Sequence, residues 1–285
     1  MTLPWMRCGR SRLRFGRRTF VMGIINMAPD SFAGDGLAGD AGAAEARGLE
    51  MRAAGADLLD VGGRSTRPDA AAVGVAEELR RTVPAVRRLA DIGVPLSVDT
   101  FSARVAAAAL DAGAAMVNDV SALREDAEMA PLLARAGVPV VLMDWNVRHG
   151  AVDVIADTLA FLQHRIAAAA AAGIAEAQII VDPGYGFGLT VEQNMELLRR
   201  LGELAALRRP ILVGTSRKGS IGRVLNLPVD DRLEGTMATV AVAIVYGADI
   251  VRAHDVRAAV RVARMTDAIV RGWPPQQEEG ALRGD

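Results

Sequence analysis

Eight short apolar runs recur along this chain, separated by alanine-rich amphipathic stretches, and that rhythm narrows its architecture more than any other feature. The runs are Phe20–Ile25, Leu58–Val61, Leu96–Val98, Met116–Asn118, Val138–Met143, Ile179–Val181, Ile211–Val213 and Ile250–Arg252. They read as apolar throughout, which is expected of strands covered on both faces. Helical patterns fill the gaps, at Ala41–Ala54, Ala76–Ile92, Ser102–Ala112, Val154–Ala172, Val191–Leu207, Arg232–Tyr246 and Val256–Arg271. Gly55, Gly93, Gly113, Gly137 and Gly247 punctuate the ends of helices just before the next strand, the usual place for a glycine cap. Strand–helix units in this number, with no dinucleotide-type glycine fingerprint, favour a closed barrel over an open sheet. The predicted fold is α/β, a single-domain (β/α)8 barrel of TIM type over residues 20–272. A basic segment, 1–19, precedes it, and a polar tail, 273–285, is expected to be disordered.

Charge excludes several kinds of partner. With 33 basic and 34 acidic residues the net charge is −1, so there is no electrostatic ground for nucleic acid or an anionic membrane. Any anion site must be local. The single cysteine, Cys8, excludes an internal disulfide and fits a reducing compartment. No run approaches the roughly 20 apolar residues of a membrane span. Arg17-Arg18 ahead of Phe20-Val21-Met22 has the look of an export signal, but Asn26, Pro29 and Asp30 break the run early. The segment therefore reads as a polar edge, and a cytoplasmic location is expected. Among the 33 basic side chains only one is lysine, Lys218. In a chain that uses arginine wherever positive charge suffices, that position is expected to need an ammonium.

Polar groups follow nearly every strand: Asn26, Asp60, Asp99, Asn118, Asp182, Ser216-Arg217-Lys218, and Arg252 with His254. In a barrel these ends share one mouth. A lone Asp or Asn after a strand commonly caps the next helix, but capping does not explain so many together. Asp99, Asn118 and Asp182, beside Met143 and Phe187, suit a flat heterocycle with an N–H edge, because a carboxylate accepts parallel hydrogen bonds. Ser216, Arg217, Arg252 and His254 come from the last two strands, where barrels often hold phosphate. Asn26 should lie beside them, either as a weak Mg²⁺ ligand completed by phosphate and water or as a purely structural amide. Two glycine-rich stretches, residues 28–41 and 62–72, have the composition of mobile lids.

These residues carry a resemblance. Met22-Gly23-Ile24-Ile25-Asn26, Pro29-Asp30-Ser31-Phe32, Asp60-Val61-Gly62-Gly63, Ser65-Thr66-Arg67-Pro68 and Ser97-Val98-Asp99-Thr100 occur in order. Val117-Asn118-Asp119-Val120-Ser121, Asp182-Pro183-Gly184, Gly186-Phe187-Gly188, Gly214, Ser216-Arg217-Lys218 and Arg252 with His254-Asp255-Val256 complete the set. Together they resemble the dihydropteroate synthase family over nearly the whole chain. The resemblance implies a transferase of folate biosynthesis that joins 6-hydroxymethyl-7,8-dihydropterin diphosphate to p-aminobenzoate. It implies pterin contacts from Asp99, Asn118, Met143, Asp182, Gly214 and Lys218. It places p-aminobenzoate against Thr66, Arg67, Pro68, Phe187, Lys218 and Gly219. Diphosphate would fall to Asn26, Arg67, Arg252 and His254, with Mg²⁺ as cofactor on Asn26. Lys218, Arg252, His254 and Asp99 would be the catalytic set. A homodimer through the last helices and sensitivity to sulfonamides are implied as well.

The chain also departs from the pattern. Ala28 stands where Thr is usual, Asp144 where His is common, Leu189 where Lys is expected, and Gly219 where a bulkier residue is found. The stretch 145–152 lacks the usual Gly-Pro-Thr-Met. Two alternatives stay open on these grounds: a specialised or non-catalytic pterin-binding paralogue, and a methyltetrahydrofolate-type methyltransferase domain.

Overall fold

The structure, a computed structural model, describes residues 5–29, 36–64, 73–145 and 153–273. Its first elements are two three-residue strands, β1 (Met6–Cys8) and β2 (Ser11–Leu13), paired antiparallel. Then strand and helix alternate: β3 (Phe20–Asn26), α1 (Ala41–Ala53), β4 (Leu58–Gly62), α2 (Val75–Leu89), β5 (Leu96–Asp99), α3 (Ala103–Asp111), β6 (Met116–Asp119) and α4 (Met129–Ala136). β7 (Val140–Met143), α5 (Val154–Ala171), β8 (Ile179–Asp182), α6 (Val191–Arg199), β9 (Leu212–Val213), α7 (Gly219–Leu225), α8 (Leu233–Val245), β10 (Ile250–Ala253) and α9 (Val256–Arg271) complete the chain. All pairings from β3 onward are parallel, in the order β8-β7-β6-β5-β4-β3-β10-β9. A parallel bridge between Val181 and Ile211 joins β8 to β9 and closes the barrel. The predicted architecture is observed. Two short helices, α4 and α7, fall outside the predicted set, and residues 201–207 form a 3₁₀ turn rather than the end of the α6 helix.

The segment before Phe20 is more than a polar edge. Met6, Cys8, Leu13 and Phe15 are buried against Met22, Leu58, Met116, Val141, Ile180, Leu212 and Ile250, the inward side chains at the lower end of the barrel. The hairpin is therefore the floor of the barrel. Burial pushes the Cys8 thiol up to about 12, so it packs there as a small apolar group. The expected tail falls almost entirely outside the described residues, as do Asp30, Ser31 and Phe32 of the first lid stretch and Ser65–Pro68 of the second.

Side chains along a strand alternate between faces, so the residue two places beyond an inward-facing one also faces inward. Two steps up from Leu58, Met116, Val141, Ile180, Leu212 and Ile250 stand Asp60, Asn118, Met143, Asp182, Gly214 and Arg252. Strand pairing sets Asp99 opposite Asn118 and Met143 opposite Asp182. The apolar floor and the polar mouth are successive layers of one alternation.

Candidate active site

At the centre of the mouth lies a network of buried charges. Asp60, fully buried on β4, accepts hydrogen bonds from Arg252 Nε at 2.7 Å and from Asn118 Nδ2 at 2.9 Å. Arg252 also reaches Asp99 through Nη2 at 3.0 Å. A guanidinium shared by two carboxylates is held in one orientation, and the bond to Asp60 fixes the Asn118 amide with its oxygen end left for a donor. Arg252 Nη1 has no partner among the described residues. Sequence reasoning placed Asp60 in the mouth but gave it no role. Its zero exposure and its two donors make it the residue that orients both Arg252 and Asn118.

Burial raises Asp99 above the ordinary carboxylate range; Arg252 opposes that shift and the nearby Asp60 adds to it. Asp182 is raised to about 6, chiefly by burial, against the hydrogen bond from the Gly184 N–H at 2.8 Å and the positive charge of Lys218. One buried oxygen of Asp99, Oδ1, has no hydrogen-bond partner among the described residues. Unsatisfied buried acceptors cost stability and are kept where a ligand completes them.

Lys218 stands over this pocket. Its ammonium sits 3.8 Å from the centre of the Phe187 ring, and burial lowers its pKa to about 8, helped by the charge of Arg252. The stem runs so close to Gly186 that a Cβ there would lie 2.7 Å from Lys218 Cδ. Gly184 is confined more tightly: a Cβ would sit 2.0 Å from the Asp144 carbonyl oxygen, and φ is +75°. The turn after β9 delivers the lysine. Arg217 adopts a left-handed conformation, φ 57°, and its guanidinium grips Asp255 at 2.8 and 3.1 Å. Thr236 Oγ1 accepts the Arg217 N–H, and Arg232 donates to the carbonyls of Arg217 and Lys218. Arg217, expected among the oxygen-binding groups, is thus engaged in shaping the turn.

His254 follows β10 and is buried, joined through Nδ1 to Ser216 Oγ at 2.9 Å, while that same oxygen accepts the His254 backbone N–H at 3.2 Å. The pairing favours the imidazole tautomer with its proton on Nε2, a donor. β10 pairs with β3, so the strand ends that carry His254 and Asn26 share one side of the rim. Among the described residues no group of three or more His, Cys, Asp or Glu is assembled as a metal cage. Trp145 meets Phe187 at 6.5 Å and Phe101 at 6.2 Å, an aromatic edge that the sequence reading did not anticipate.

The structure thus brings together Asp99, Asn118, Met143, Asp182, Gly214, Lys218, Phe187, Arg252 and His254. Thr66, Arg67 and Pro68 lie outside the described residues. Gly219 opens α7, exposed, and a Cβ on it would meet nothing within 4 Å, so the glycine there answers no steric need. Ala28 is buried and Leu189 packs on the core. Asp144 is buried beside Asp182, whose carbonyl accepts its N–H at 2.9 Å.

The mouth sets acidic acceptors beside arginine and lysine on one barrel rim, the arrangement of a small-molecule-binding (β/α)8 enzyme, and the sequence profile of pterin-binding enzymes matches residues 22–254. The chain belongs to that family. Its relatives there include the dihydropteroate synthase of Clostridium beijerinckii, 43% identical over 268 residues, covering 93% of this chain and 100% of that protein. The dihydropteroate synthase of Bacillus subtilis is 42% identical, covering 91% and 92%. The Xanthomonas albilineans dihydropteroate synthase solved with 4-aminobenzoic acid superposes with a TM-score of 0.87 at 42% identity, over 94% of this chain and 98% of that one. The Yersinia pestis enzyme in a sulfonamide drug complex gives 0.89 at 39% identity, over 93% and 99%.

Proposed function

We propose that this chain condenses 6-hydroxymethyl-7,8-dihydropterin diphosphate with p-aminobenzoate, giving 7,8-dihydropteroate and diphosphate. The observation that carries this reading is the network of Asp60, Arg252, Asp99 and Asn118 with Lys218 across from it. It presents acceptors to a heterocycle's N–H edge and cations to an anion from one fixed scaffold.

Asp99, Asn118 and Asp182 hold the pterin, with Met143 and Gly214 shaping its slot. Arg252, through Nη1, and His254, through Nε2, receive the diphosphate as the C–O bond to the exocyclic methylene breaks and the electron pair departs with the leaving group. The electron-rich dihydropterin stabilises the cationic methylene. The arylamine nitrogen then donates its lone pair to that carbon and loses a proton to solvent. Lys218 and Phe187, with Thr66, Arg67, Pro68 and Gly219, position the arylamine, so proximity rather than a protein nucleophile drives this step.

Asn26 supplies one neutral oxygen at the rim and no cage of acidic ligands stands near it among the described residues. That donor set fits a Mg²⁺ ion held mostly by substrate phosphates and water. Bound there, the ion would add charge neutralisation to the diphosphate. Exposed apolar side chains on the last helices support a homodimer. An aryl sulfonamide would compete at the Phe187–Lys218 site. Among the described residues no helix is long and apolar enough to cross a membrane.

Purified protein incubated with the pterin diphosphate, p-aminobenzoate and Mg²⁺ should form 7,8-dihydropteroate, and omitting the ion should depress the rate at least ten-fold. Tight pterin binding without product would overturn the proposal and favour a non-catalytic paralogue.

A further inference from the structure

The end of the barrel opposite the mouth carries a second pocket, of about 470 Å³, within the range of small-molecule sites. It lies between the residues that lead into β3, Gly16 to Thr19, and one face of α9. Its apolar lining is supplied by Val21, Val260, Ala263 and Ala268, and Trp273 stands at its edge. Four arginines line it, Arg17, Arg18, Arg264 and Arg271, against two acids, Asp57 and Asp267. Both acids are already engaged. Asp57 pairs with Arg18 at 2.8 Å and accepts the Val21 N–H. Asp267 pairs with Arg271 at 3.0 Å and accepts both the N–H and the hydroxyl of Thr19. Arg17, partly buried, and Arg264, exposed, meet no acid among the described residues. The lining therefore holds two positive charges in excess beside an apolar wall.

We propose that this pocket binds a small aryl anion, a carboxylate or sulfonate, with Arg17 and Arg264 on the anionic group and the ring against Val260, Ala263 and Trp273. Guanidinium forks match the two parallel oxygens of such a group, and the arginines and tryptophan offer flat partners to a ring. None of these residues belongs to the mouth, so the site is independent of the substrate pocket. The ligand can be p-aminobenzoate itself, visiting a second location, or an unrelated aryl acid.

Calorimetric titration of the full chain with 2-naphthoate and with neutral 2-naphthalenemethanol tests the idea. The acid should bind at one equivalent, at least ten-fold more tightly than the alcohol. Arg17→Ala/Arg264→Ala should weaken the acid ten-fold or more, Arg17→Lys/Arg264→Lys should weaken it by less because an ammonium keeps the charge but not the fork, and Lys218→Ala should change nothing. Among the described residues neither arginine is in an ion pair, so both double variants should melt like the parent, and their dihydropteroate turnover should be unchanged. Titration of Lys218→Ala with p-aminobenzoate then distinguishes the two sources: binding that is lost on adding Arg17→Ala/Arg264→Ala assigns the pocket to the substrate, and none assigns it to another aryl acid. Equal affinity for acid and alcohol, binding indifferent to the arginines, or no binding of the naphthoate at millimolar concentration would overturn the proposal.

Discussion

Lys218 shows how much one side chain depends on its surroundings. Its stem needs the bare backbone of Gly186, and its ammonium lies over the face of Phe187. A guanidinium is broader, flat and always charged, so it cannot occupy the same slot with the same donors. Lys218→Arg should therefore lower kcat/KM by about 100-fold or more, roughly 3 kcal/mol of transition-state binding, with the melting temperature little changed. Turnover close to the parent's would contradict the role given to the residue. Asp182 makes a complementary case. Its folded pKa of about 6 lies above the ordinary 3.8, so the folded state binds the proton more tightly than the unfolded chain. Its contribution to stability is thus fully present below 3.8 and lost as pH rises through 6. Asp182→Asn, which can still accept the Gly184 N–H, should remove that loss. Denaturant titrations should show the variant gaining on the parent between pH 4 and 7, by on the order of 2 kcal/mol, while pterin binding collapses. A difference flat with pH would mean that Asp182 keeps an ordinary pKa.

At the scale of elements, the hairpin β1–β2 is the piece whose loss should matter most beyond the barrel itself. Phe15 is fully buried and meets Phe20 edge to face at 5.5 Å. Phe15→Ala should cost about 3–5 kcal/mol in chemical denaturation yet leave turnover at low temperature near the parent's, because the floor lies under the reacting layer without touching it. A cost below about 1 kcal/mol would show that the hairpin merely rests on the barrel. The hairpin was legible in principle. Met6-Arg7-Cys8 and Leu13-Arg14-Phe15 alternate apolar and basic, and Gly9 takes the turn at φ 57°. The arginines interleaved through residues 7–18 mask that alternation behind a strongly basic composition. The eight strands were legible because burial on both faces makes them continuously apolar. The same continuity hid the step of two that lifts Asp60, Asn118, Asp182 and Arg252 above the floor. Asp60's role could not be read at all, since it arises from an arginine 192 positions away that only the closed barrel brings beside it. The departure at Asp144 was visible in sequence, but its place against Asp182 follows from the β7–β8 register.

For the whole molecule, the surface of the last helices raises the question of assembly. α8 and α9 pack on each other and leave Val242 and Val245 exposed on one, with Tyr246 just past its end, and Met265, Ile269 and Val270 on the other. Ile269, 70% exposed, stands one turn from Met265, at 63%, so the apolar side chains form a stripe rather than scattered points. A stable pairing of two copies buries about 800 Å² on each, centred on apolar side chains such as these. Sedimentation should accordingly find twice the 30.0 kDa chain mass at micromolar concentration. Ile269→Glu would bury a charge in the centre of that contact and should shift the protein to the monomer. The described residues of the mouth stand at strand ends and in the turns after them, and none lies on the stripe. The monomeric variant should therefore keep its kcat at low temperature while melting earlier, since dimerisation stabilises only the folded state. A parent protein that sediments as a monomer at tens of micromolar would reject the pairing. A variant that loses turnover together with the dimer would show that the second copy supports the mouth after all, through the α9 helix that begins just beyond His254.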